Sequence, residues 1–142
     1  MDDTELFTKY LNMIQNTIER LAKNSFQIKA WAATIFTAVI VLTYSIINIS
    51  IFIVLILVIS LFWVLDSYYL KQERLYRKLY KQKVIQFNNR DKQEKIELFE
   101  MDVSIYKVDN VFKIMFSISE FLYYIAIIGT LIAFLITYLT IY

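Results

Sequence analysis

Apolar residues follow two patterns along this chain: a spaced stripe near the start, then three nearly unbroken blocks. Between positions 3 and 23, Phe7, Tyr10, Leu11, Ile14, Ile18 and Leu21 recur at helical spacing, which predicts an amphipathic helix. Asp3 or Thr4 suits its N-cap, and Asp2, Asp3 and Glu5 suit the positive end of its dipole. An acidic start and a stripe rather than a block do not fit a secretory signal peptide. The first block runs from about Phe26 to Ile47, and Asn48, Ile49 and Ser50 form a very short connection. The second block starts at Ile49 or Ile51 and ends at Leu65, closed by Asp66. Each is roughly 17–22 residues long, enough to cross ~30 Å of hydrocarbon. So short a connection makes the two an antiparallel hairpin.

Neither Pro nor Gly interrupts the sequence after Asp66. Ser67 to Gln86 continues in good helix formers, so the second helix is expected to leave the bilayer and project into solvent. Asn88 and Asn89 are the expected break. Residues 91–100 read as a short polar helix, and Val103, Ile105 and Lys107 give a weak extended pattern over 101–109. The third block runs without a breaker from Val111 to Tyr142, ~48 Å as one helix. That exceeds the hydrocarbon, which places Lys113 and Glu120 at the interface and the membrane part over about Phe121 to Tyr142. The expected fold is therefore an all-α membrane protein. It has an amphipathic N-terminal helix (1–24), a transmembrane hairpin (25–66), a cytoplasmic helical platform (67–110) and a third transmembrane helix with a cytoplasmic extension (111–142).

Charge gives this arrangement a direction. All 15 Lys and Arg fall on one predicted side: Lys9, Arg20, Lys23 and Lys29 before or at the first span, and the rest from Lys71 to Lys113. The positive-inside rule then places the N-terminus and the 67–110 segment in the cytoplasm, and the C-terminus outside. With 58% hydrophobic residues in 142, one Gly and no Pro, the excess over a soluble domain comes in blocks that suit lipid. The chain has no Cys and no His, which removes disulfides, thiol nucleophiles, zinc fingers and imidazole catalysis. Gly-rich phosphate loops and the H-E-x-x-H and G-x-S-x-G patterns are also missing. No enzyme, cofactor or metal site is expected.

Three groups of residues remain that carry chemistry. From Lys71 to Lys95 there are nine Lys or Arg against Glu73, Asp91 and Glu94. Lys71, Arg74, Lys78 and Lys81 share a helix face, with Arg77 beside them and Tyr76 and Tyr80 interleaved. Such a surface holds phosphates and stacks bases, or it meets anionic lipid as juxtamembrane cations commonly do. The second group is small and hydroxyl-bearing: Ala126, Thr130, Ala133, Thr137 and Thr140 in the third span, and Thr34 and Thr37, following Ala30 and Ala33, in the first. These residues permit close helix packing or line a narrow water-filled path in an oligomer. The third group is Lys29, Asp66 and Glu120, ionisable residues at similar depth that are costly unless paired or wet. A Lys29–Asp66 pair fits across the hairpin. Glu120 repeated around an oligomer would make a cation-attracting vestibule, or else each residue is simply a solvated interfacial cap.

Asn24-Ser25-Phe26-Gln27-Ile28-Lys29-Ala30-Trp31 and Leu65-Asp66-Ser67-Tyr68-Tyr69-Leu70-Lys71-Gln72-Glu73-Arg74-Leu75-Tyr76-Arg77-Lys78-Leu79-Tyr80 resemble motifs of a group of small bacterial membrane proteins. Their patterns are N-S-F-x-I-K-x-W and L-D-x-Y-Y-L-x-x-E-R-x-x-R-x-L-Y, and the match covers about residues 15–85. That group is similar to the SLATT-type membrane effectors of anti-phage defence, which are associated with nucleotidyltransferase and nucleotide-sensing genes. The resemblance implies a homo-oligomeric pore in the bacterial inner membrane, gated by a nucleotide or oligonucleotide signal, with a nucleotidyltransferase-type partner encoded nearby. The same aromatic residues, Trp31, Tyr68 and Tyr69, also suit a membrane-interface belt. Two other functions fit the residues: a membrane anchor that recruits a soluble partner, and a holin-like toxin without a ligand.

Overall fold

A computed structural model describes residues 3–43, 49–89 and 98–141. Among these residues all the regular structure is helical, without strands: α1 (Asp3–Thr43), α2 (Ile49–Asn89), α3 (Val111–Met115) and α4 (Ile118–Ile141). The amphipathic helix and the first apolar block, expected as separate regions, are one helix of 41 residues. Nothing between Asp3 and Thr43 breaks it, because the stretch has no Pro or Gly and its few poor helix formers cost only tenths of a kcal/mol each. Ile49 and Ser50 belong to α2 rather than to the connection. Asn48, the other expected connection residue, lies outside the described residues.

α1 and α2 run antiparallel along their length. Phe7 stacks on Phe87 with ring centroids 3.9 Å apart, Ser25 bonds Asp66, and Ile35 and Val39 border the same cavity as Val54 and Leu55. The pair buries two separate apolar clusters. One joins Phe7, Tyr10, Ile14 and Ile18 of α1 to Leu79 of α2, with Leu98, Met101 and Val103 packed against it. Four residues of the predicted stripe are thus buried. The other joins Ala32, Phe52, Leu55, Ile59 and Trp63 to Met115, Tyr124, Ile127 and Leu131. It is covered by the α3–α4 segment, which completes a three-helix assembly at that end.

α2 and α4 are each long and apolar enough to cross a membrane. Only 22% of the apolar window of α2 and 17% of that of α4 are buried in the protomer. A helix in a soluble core would be buried over most of its surface, so these outward faces suit lipid or another subunit. The first expected span includes residues 44–47, outside the described residues.

The C-terminal part departs from expectation in two ways. Residues 98–100 are not helical, and the rest of the expected 91–100 helix lies outside the described residues. Residues 101–109 form no strand. The segment from Glu100 onward folds back over the first cluster through side-chain bonds: Tyr10 donates to the Glu100 carbonyl at 2.5 Å, Tyr76 donates to the Met101 carbonyl at 3.4 Å, and Lys83 pairs with Glu100 at 3.0 Å. Asp102 accepts from the Ser104 amide at 2.8 Å and the Ser104 hydroxyl at 2.9 Å, which turns the chain.

The second departure is a break in the expected 111–142 helix. Phe116 has φ −91° and ψ 14°, which closes α3, and α4 starts at Ile118. A physical cause is visible at Met115, whose carbonyl accepts from the Trp63 indole at 3.2 Å. The bend also sets the Phe116 ring edge-on to Trp63 at 5.6 Å, while Tyr124 stacks on Trp63 at 5.5 Å. An aromatic anchor on α2 is thus served from both sides of the bend.

Two predictions follow from these contacts. Trp63→Phe leaves the Met115 carbonyl without its donor and should destabilise the protein by about 1 kcal/mol, read as a lower melting temperature in detergent. Burial, with the nearby Glu100 and Tyr106, pushes the Tyr10 hydroxyl up to about 12. The folded state prefers the neutral phenol, so this contribution is intact below pH 10 and declines as pH rises from 10 towards 12. Protease cleavage within 98–109 should therefore rise over that window, and Tyr10→Phe should remove this component of the rise.

Candidate functional site

Between the two apolar clusters lies a layer of buried polar groups. The Asp66 carboxylate has no exposed surface and receives groups from both other long helices. Ser25 of α1 donates to Oδ1 at 2.5 Å. Lys29 of α1 lies 2.5 Å from Oδ2, and Tyr124 of α4 donates to Oδ2 at 3.0 Å. Lys29 also donates to Ser25 Oγ at 3.2 Å, so the serine hydroxyl relays between ammonium and carboxylate. Ser25 and Lys29 reach one point because i and i+4 share a helix face.

Glu120, in the first turn of α4, completes the cluster. Its Oε1 lies 2.9 Å from Lys29 Nζ, and its Oε2 is buried without a partner among the described residues. Tyr123, three residues on, donates to the Lys29 carbonyl at 2.5 Å. One ammonium thus faces two carboxylates in a largely enclosed place. Glu120 is only 3% exposed, so it sits inside the protomer rather than on a surface that could line a vestibule. Lys29 and Asp66 are held in a buried network, not as solvated caps. Ser25, Tyr123 and Tyr124 were not singled out as site residues from the sequence. The available signal was their three- and four-residue spacing from Lys29 and Glu120.

The basic stretch divides between two faces of α2. Arg74, Arg77 and Lys78 line a cavity of about 420 Å³ together with Lys107, Val108 and Asp109. Lys71 and Lys81 are not part of its lining, and Arg90, Lys92 and Lys95 lie outside the described residues. Tyr76 and Tyr80 pack against the first apolar cluster, which makes them packing residues rather than a stacking platform in the groove. Glu73 holds Arg77 at 2.7 Å, Arg74 lies 3.8 Å from Asp109, and Lys78 donates to the Lys107 carbonyl. The contribution of Lys107 and Asp109 comes from a segment far away in sequence and had no local signature.

The small-residue stripe lies on the outward face of α4. Ala126, Gly129, Thr130, Ala133, Thr137 and Thr140 are all exposed, whereas Tyr124, Ile127 and Leu131 face the core. Thr130 and Thr137 donate to the carbonyls of Ala126 and Ala133 at 2.8 and 2.9 Å, and Thr140 is likewise bonded within its own helix. On α1, Thr34 and Thr37 are exposed and back-bonded in the same way. Close packing within the protomer therefore does not account for either stripe.

The buried cluster supports a direct test. Lys29→Met would leave Asp66 and Glu120 without their counter-charge, with an expected loss of about 3–5 kcal/mol. Thermal denaturation in detergent should show it, and the double variant Lys29→Met with Glu120→Gln should recover part of the loss. No protein-family model matches this chain, and neither the curated proteins nor the solved structures include a match.

Proposed function

We propose that the chain is a membrane effector that assembles as a homo-oligomer and forms an ion-conducting pore. In this reading it acts in bacterial anti-phage defence, in the inner membrane, under the control of a nucleotide or oligonucleotide signal. The observation that carries the reading is the free face of α4. A stripe of Ala, Gly and Thr at helical spacing is left outward on an apolar helix, where lipid would be served as well by Leu or Ile. Small residues at such a place allow a second copy to approach closely. Hydroxyls that donate to their own helix keep their lone pairs outward, suited to water or a passing cation.

Topology adds support. With the apolar half of α1 as a third span beside α2 and α4, every Lys and Arg falls on one side, which the positive-inside rule makes cytoplasmic. The groove at Arg74, Arg77 and Lys78 is then a cytoplasmic anion receptor. Its other wall leads through α3 into α4. A signal bound there acts on the pore to the extent that it binds the open and closed arrangements differently.

Expression in bacterial cells with a potential-sensitive dye tests the reading. Depolarisation is expected, and Thr130→Leu with Thr137→Leu should abolish it at an unchanged amount of membrane-inserted protein. Unaltered potential at saturating expression, with a stoichiometric soluble protein co-purifying, would instead make the chain an anchor. Lysis without reversible depolarisation would make it a holin-like toxin.

A further inference from the structure

The groove on α2 already contains an anion. Four cationic side chains line it, from Arg74, Arg77, Lys78 and Lys107, and the acidic member of the lining is Asp109. Asp109 stands between two cations on different elements: Lys113 of α3 at 2.7 Å and Arg74 of α2 at 3.8 Å. The hydrogen bond from Lys113, with the fields of Arg74 and Lys78, holds its carboxyl below the usual aspartate range. Glu73, the other nearby carboxylate, is turned to Arg77 at 2.7 Å. Counting Lys113, five cations meet two carboxylates, so the groove stays positive with its own anion in place.

The two contacts of Asp109 are unequal. The one to Lys113 is a close charged hydrogen bond, and the one to Arg74 is long for a guanidinium–carboxylate pair. Arg74 is therefore the weakly held cation, and a planar guanidinium is the group best shaped for two oxygens of a phosphate. A terminal phosphate brings more charge and more acceptor oxygens than one carboxylate. We propose that this groove is a binding site for a phosphate-bearing anion, and that Asp109 is a resident competitor which the phosphate displaces from Arg74. The proposal deepens the gating reading and rests on it for its physiological meaning. Asp109 keeps Lys113, so displacement removes one tie between α2 and the start of α3, while Lys78 still holds the Lys107 carbonyl and Trp63 the Met115 carbonyl. The phosphate comes either from a free nucleotide-like molecule or from a phospholipid headgroup, since the chemistry is shared.

The test uses the full chain in phosphatidylcholine nanodiscs, titrated with inorganic pyrophosphate by calorimetry at low salt. Arg74→Ala should weaken binding about tenfold, the value of a charged hydrogen bond. Asp109→Asn should tighten binding about two- to fivefold, the scale of an exposed ion pair. Asp102→Asn makes the same charge change outside the groove and should leave the affinity as it is. Equal effects of Asp109→Asn and Asp102→Asn would overturn the competitor role, and indifference to Arg74→Ala would overturn the site. Amide exchange at Ile114 and Phe116, whose N–H groups bond the Asn110 and Phe112 carbonyls, should rise on saturation, and unchanged exchange would refute the loosening of α3. Repeating the titration with phosphatidylglycerol in the discs separates the sources: suppressed pyrophosphate binding identifies the headgroup, and unchanged binding identifies the free phosphate. Affinities that behave as expected while pyrophosphate leaves membrane current unaltered would keep the site and remove the gating reading. A current that responds while affinity ignores Arg74 and Asp109 would do the reverse.

Discussion

The carboxylate of Asp66 is the point on which the three long helices agree. A fully buried carboxylate without partners costs several kcal/mol, and here the compensation comes from Ser25, Lys29 and Tyr124 on the two neighbouring helices. Apolar contacts alone would tolerate sliding of one helix along another, because Leu on Leu is much the same one turn away. A charge with named donors does not. The register of α1 against α2, and the height of α4 against both, are therefore set at this layer. The apolar clusters on either side then pack at the positions that register dictates.

The same constraint explains the bend before α4. For Tyr124 and Glu120 to reach Asp66 and Lys29, α4 must begin close against α2. Trp63, just under one turn before Asp66, takes the Met115 carbonyl and packs against Phe116 and Tyr124. One face of α2 thus positions the polar contacts and receives the chain that supplies them. Val111–Met115 serves as a short approach that delivers α4 at the right height.

Much of this was legible in the sequence because it is periodic. The stripe from Phe7 to Ile18 named the buried face of α1, while Asn88 and Asn89, the expected break, are still helical and the residues after them lie outside the described ones. The apolar blocks named two membrane-capable helices. Other features have no periodic trace. The kink at Phe116 lies in a stretch with no Pro or Gly, beside a Met115 carbonyl held by an indole 52 residues before it. Glu120 has the spacing of an interfacial residue, and only the docking of α4 turns it inward. Tyr76 and Tyr80 alternate with cations in sequence, but helical geometry sends them to the apolar side of α2. Lys107 and Asp109 join the groove through a segment without regular structure, which no spacing rule reaches.

The unbroken length of α2 carries a mechanical consequence. Its 41 residues make a rod of about 60 Å, and the polar layer grips it at Asp66, short of the middle. Arg77 lies ~16 Å along the axis on one side of that grip and Ile49 ~25 Å on the other. A rod pivoting there works as an unequal lever. A sideways shift of ~1 Å at the groove becomes ~1.5 Å at the opposite tip, in the other direction, with no helix bent or unwound to transmit it.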